Sequence, residues 1–129
     1  MNEKTIQNWI QLAVYDFDTA KAMLKSKRYL YLAFACHQTV EKILKAIYVK
    51  EIGKTPPYTH NLIKLSESIS ISGSMNEEFK KFIEDLNSYY IQSRYNEDIA
   101  RMTAILTKKK SRLIFKGTEA LYLWLKKQI

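Results

Sequence analysis

The residues able to do chemistry fall into four groups. In HQTVEKILK, residues 37–45, His37, Glu41 and Lys45 recur at i, i+4 and i+8, so on a helix they share one face with Gln38 and Lys42 beside them. That face could meet an anion or give two metal ligands. With two histidines and one cysteine in the chain, nothing obvious supplies a third and fourth ligand, so no metal is expected. The plain expectation is a Glu41–Lys45 surface pair beside a half-buried His37. The second group, PPYTHNL (56–62), is a loop entering a helix, where unpaired N–H groups and the positive dipole end suit phosphate. His60 lies in its first turn beside Tyr58, with Thr59 as the expected cap. In LNSYYIQSRY (86–95), Tyr89, Tyr90 and Tyr95 surround Arg94, a pairing suited to phosphate contact and base stacking. Helical spacing assigns Tyr90 to the core. The fourth group is the lysine-rich run Lys108, Lys109, Lys110, Arg112 and Lys116, either a solvated helix surface or a field that draws polyanions.

The elements that must position these groups follow from periodicity. Ile6, Trp9, Ile10, Ala13, Phe17, Ala20 and Leu24 step by three or four, predicting a helix over about 3–26. Cys36, Val40, Ile43, Leu44 and Ile47 predict a second, from Tyr29 or Tyr31 to Ile52, stopped by Gly53 and Pro56-Pro57. A short helix carries Leu62, Leu65 and Ile69, and Asn76 caps a fourth whose stripe is Phe79, Phe82, Ile83, Leu86 and Tyr90 and which ends near Arg94-Tyr95. A last helix is expected from Ala104 to Lys127, with Gly117 marking a kink or a close helix contact. Short loops between long helices make neighbours antiparallel. The expected fold is all-α, an up-and-down bundle of four long helices plus one short helix, in a single domain over residues 1–129.

Composition agrees. Three glycines and two prolines in 129 residues are too few for a turn-rich β fold, and three scattered glycines cannot build a phosphate-binding loop. An apolar content of 47% excludes a disordered chain. No signal-peptide pattern or membrane-length apolar run is seen, so no membrane association and a cytoplasmic location are expected. The net charge of +8 is uneven. Residues 1–99 hold 13 basic and 12 acidic side chains; residues 100–129 hold eight basic and one acidic.

Four segments, in order, resemble the HEPN domain family (higher eukaryotes and prokaryotes nucleotide-binding). They are AVYDFDTAKAML (13–24), YLAFACHQTVEKILKAIY (31–48), THNLIKL (59–65) and YIQSRY (90–95). The resemblance implies a helical bundle that dimerises and carries a cleft for nucleotide or RNA. It further implies partnership with a minimal nucleotidyltransferase in a toxin–antitoxin type system. Other members are metal-independent ribonucleases marked by Arg followed, after four to six residues, by His. Here the positions that would hold that His after Arg94 are Ile99, Ala100 and Arg101.

The expectation is therefore a binding module, not an enzyme: a homodimer without cofactor whose ligand contacts are His60, Arg94, Tyr95, Tyr89 and Lys42. The alternative is a divergent ribonuclease toxin that pairs Arg94 with His60 or His37 across the dimer. In either case the basic last helix assists an anionic partner and is not itself the site.

Overall fold

The computed structural model describes residues 2–92 and 99–129, the side chains of residues 91 and 92 excepted. Arg94 and Tyr95 lie outside the described residues.

The first apolar stripe forms α1 (Asn2–Lys25), burying Ile6, Ala13, Phe17 and Ala20. Its last turn closes through Ser26–Arg28, with the Arg28 N–H donating to the Met23 carbonyl at 2.9 Å. Lys27 adopts a left-handed φ of 64° there, which lets the chain reverse directly into α2 (Tyr29–Ile52). The two helices lie antiparallel: Ile6 of α1 packs with Ala46 and Val49 near the end of α2. Gly53 ends α2 as expected, at φ 76° with its N–H on the Val49 carbonyl at 2.9 Å.

Next come α3 (Leu62–Glu67), a 3₁₀ turn (Ser70–Ser74) and α4 (Glu77–Gln92). Asn76 caps α4 as expected, accepting from the Phe79 N–H at 2.7 Å. The cap of α3 is Asn61, not Thr59. Asn61 Oδ1 accepts from the Ile63 and Lys64 N–H groups at 3.0 and 3.2 Å, while Thr59 Oγ1 accepts from the Asn61 N–H. Both residue types cap well, and the turn after Pro57 leaves Asn61 nearer the first free N–H groups.

The last helix, expected from Ala104 to Lys127, starts only at Lys108 as α6 (Lys108–Lys126), and Ala104 and Ile105 instead end a separate short helix, α5 (Ile99–Ile105). Thr107 separates them at ψ 167°, its hydroxyl accepting from the Lys110 N–H at 3.1 Å. A threonine that can cap a helix competes with continuing one, and here the cap wins. Gly117 makes a close helix contact: a Cβ there would overlap the Phe82 ring of α4.

Helices α1, α2, α4 and α6 form the up-and-down bundle, so the fold is the all-α architecture expected. Phe17 of α1 stacks on Phe115 and Tyr122 of α6, at 5.3 and 4.8 Å between ring centroids. The central member is α2, which packs against every other helix. Leu32, Ala33, Ala35, Cys36, Val40, Ile43, Leu44, Ala46, Ile47 and Val49 are all buried, and they leave α2 no broad solvent face. A helix apolar nearly all round is a core helix, and its polar residues go into the core with it.

Candidate functional site

Burial of α2 changes the meaning of its polar row. His37 is fully buried, Glu41 is 2% exposed and Lys45 6%. The expected surface pair is thus a buried one, with Lys45 Nζ donating to Glu41 Oε2 at 3.2 Å. Lys45 Nζ also lies 5.4 Å from the centroid of the Trp9 ring of α1. Two charges out of water are costly unless their remaining lone pairs and protons find partners, and the neighbours of Glu41 do this.

The decisive neighbour comes from the loop. His60 Nδ1 lies 2.9 Å from Glu41 Oε1. Gln38, one turn back on α2, donates to the same oxygen at 3.5 Å, and its carbonyl accepts from Lys42 Nζ at 3.0 Å. Lys42 also pairs with Asp16 of α1 at 2.9 Å. A continuous chain of contacts therefore runs Asp16–Lys42–Gln38–Glu41–His60, with Lys45 branching from the carboxylate.

Two features hold His60 in place. Asn87 of α4 accepts from the Leu62 N–H at 2.8 Å and donates to Asn61 Oδ1 at 3.4 Å, tying the start of α3 to α4. The Tyr90 ring, one turn later, lies 4.5 Å from the His37 ring and 4.9 Å from that of His60, centroid to centroid. Tyr58, almost wholly exposed, meets His60 edge-on at 6.1 Å.

The two imidazoles are differently placed. Burial drives the His37 pKa down from 6.5 to about 4, a fall that the Glu41 carboxylate, the His60 backbone and the Asn87 side chain only partly oppose. At neutral pH His37 is uncharged, and its 3.9 Å approach to Glu41 is no ion pair. His60 keeps 43% of its side chain exposed while Glu41 is buried beneath it. A carboxylate on Nδ1 fixes the ring orientation and draws the proton to that nitrogen, leaving Nε2 for a ligand. That arrangement can accept a proton from a bound hydroxyl or, when protonated, contact a phosphate.

Of the residues singled out in the sequence, His60 and Lys42 are joined through Gln38 and Glu41. Tyr89 is 8% exposed within the main core. Its neighbour Tyr90, which spacing assigned to the core, is the one that reaches the histidines. Sequence reasoning placed Gln38 beside the polar row of the second helix without giving it a role, and it missed Asn87, which shares the helical face of Ile83 and Tyr90. A polar residue on an apolar stripe was the available signal. Among the described residues, no group of three or more His, Cys, Asp or Glu is placed to hold a metal ion. No helix among them is long and apolar enough to cross a membrane.

Fold and site together define a class: a small helical bundle whose central helix buries a carboxylate against a loop histidine. The HEPN domain model matches residues 6–128, and the chain belongs to the HEPN family. The fold is similar to the crystal structure of the protein TT1696 from Thermus thermophilus. That match covers 100% of both chains with a TM-score of 0.83 at 19% sequence identity. A comparison with curated protein sequences finds no match.

Proposed function

We propose that this HEPN domain is a binding module for a nucleotide or an RNA phosphate, acting as a homodimer beside a minimal nucleotidyltransferase in a toxin–antitoxin type system. The observation that supports it is the Glu41–His60 pair. A half-exposed imidazole is held by a buried carboxylate between the rings of Tyr58 and Tyr90. Anion contact and ring stacking are thereby offered side by side, as recognition of a nucleotide requires. Lys42 supports the pair through Gln38, and Arg94 and Tyr95 are assigned to the ligand from the sequence, as an arginine beside aromatic rings in a segment that resembles the family's. The test is thermal unfolding with ATP, GTP or a short RNA oligomer. Stabilisation by one of them, abolished in His60→Ala and in Arg94→Glu, is the expected result. No shift with any of the three refutes a nucleotide site.

The same pair favours a second reading, the ribonuclease. A carboxylate-oriented histidine is the standard form of a general base, able to take the 2′-hydroxyl proton without a metal. Growth arrest on induction of the wild type, absent with His60→Ala, would establish it over simple binding.

A further inference from the structure

A cleft lined by clustered cations shares no residue with the His60 site. It lies where the end of α1, the Ser26–Arg28 turn and the start of α6 converge, with a volume of about 440 Å³. Five cationic side chains line it: Lys21, Lys25, Lys27, Lys108 and Arg112. One acid, Glu119, also lies on its wall. None of the five is within 4.0 Å of a carboxylate among the described residues, whereas Lys42, Lys45 and Lys80 all have such partners.

Like charges gathered this way raise the energy of the folded chain, the more so here because of where they sit. The first turn of α6 holds Lys108, Lys109 and Lys110 and no acid, so the lysines face the positive end of the helix dipole. Lys27 is held into the cleft by a turn of left-handed φ. The arrangement is unfavourable alone and favourable once a polyanion occupies it.

The shape selects the kind of anion. A second groove of about 280 Å³ continues from the first through the shared residues Lys27 and Tyr29. It adds Tyr31, 56% exposed, with the Arg28 guanidinium 5.9 Å from its ring centroid. One phosphate does not fill such a track. A chain of phosphates with planar groups between them does, with the lysines along the backbone and Tyr31 under a base.

We infer that the cleft between the α1–α2 turn and the start of α6 binds the phosphodiester backbone of a single-stranded nucleic acid. This does not depend on the His60 site, because the two share no side chain.

Fluorescence anisotropy with a 5′-labelled single-stranded RNA of about 20 nucleotides at low salt tests it. The full chain is compared with a cleft variant, Lys25→Glu/Lys108→Glu/Arg112→Glu, and an equal-charge control, Lys4→Glu/Lys126→Glu/Lys127→Glu. The control positions lie at the opposite ends of α1 and α6, about 27–32 Å away at 1.5 Å per residue. All six side chains are exposed, and circular dichroism verifies that both variants fold. The expected result is a loss of at least about tenfold in affinity for the cleft variant, steeper than the control at every salt concentration. Tyr31→Ala should weaken binding about fivefold or more at constant charge. Equal losses in cleft variant and control overturn the inference, as does absence of binding by the wild type. If His60→Ala abolishes binding and the cleft variant does not, the cleft fails while the proposed function stands.

Discussion

His37 is neutral because it is buried, and that has a consequence for stability. The groups facing it are Glu41 on its own helix, His60 from the loop, and Asn87 and Tyr90 from α4. Unfolded, the imidazole takes a proton near 6.5; folded, it resists until about 4. Since the unfolded chain binds more protons between those values, this contribution is complete above 6.5 and is lost as pH falls through the window. The gap is worth about 3 kcal/mol at its lower end. Urea midpoints measured from pH 7.5 to 4.5 should fall more steeply for the wild type than for His37→Leu, which cannot titrate. Carboxylates protonate in both proteins, so the difference between the two curves isolates the histidine. A difference that stays constant with pH would mean that His37 is not held neutral by the fold.

Between elements, a close constraint is the contact of α4 with α6 at Gly117. A Cβ there would lie 2.8 Å from Phe82 Cζ and 2.9 Å from Cδ1, closer than packed carbon atoms approach. Alanine in place of glycine stabilises a helix by about 1 kcal/mol, whereas forcing a methyl into a filled space costs about 1–3 kcal/mol. Gly117→Ala should therefore destabilise the wild type by about 1 kcal/mol and stabilise a Phe82→Ala background by a similar amount. Urea unfolding of the four proteins of that cycle measures the coupling; purely additive effects would show that the ring does not set the glycine. Gly117 was legible in the sequence as a glycine that a long helix had to have a reason to keep. The α1 and α2 bounds were legible too, because their stripes are long and Gly53-Pro56-Pro57 stops α2 sharply. The cap of α3 and the break at Thr107 were not. In each place two neighbouring residues, or two local conformations, satisfy the same rule, and tertiary packing decides. Glu41 shows the harder failure. A Glu–Lys pair at i, i+4 usually means a solvated face, and only the placement of α2 among all its neighbours turns it inward. The absence of any charge from Tyr29 to Val40 was the available hint. His60 was legible as chemistry, but its partner was not, since Glu41 lies 19 residues away and the contact exists only once the loop has folded back.

At the scale of the whole molecule, charge is distributed by position in the bundle. The net +8 arises mostly after residue 99, and its densest part, at the start of α6, lies beside the cations at the end of α1. Antiparallel packing of α1 and α6 thus brings together two basic stretches that are some 80 residues apart in sequence, a juxtaposition no local pattern announces. The resulting repulsion is between exposed side chains, so ions should screen it, whereas the buried Glu41–Lys45 pair is shielded from salt. Raising NaCl from 0.05 to 0.5 M shortens the screening length from above ~10 Å to below it. Thermal unfolding should therefore shift upward by about 2–5 °C, equivalent to about 1 kcal/mol in a chain of this size. Sulfate at equal ionic strength should raise it further, because a divalent anion can sit among several lysines at once. The variant Lys25→Glu/Lys108→Glu/Arg112→Glu removes the repulsion at its centre and should lose most of the salt response. Scanning both proteins across the salt series decides the matter: a wild-type melting temperature that is flat or falls with salt would mean that the clustered cations do not strain the fold, and an undiminished response in the variant would place the strain elsewhere on the surface.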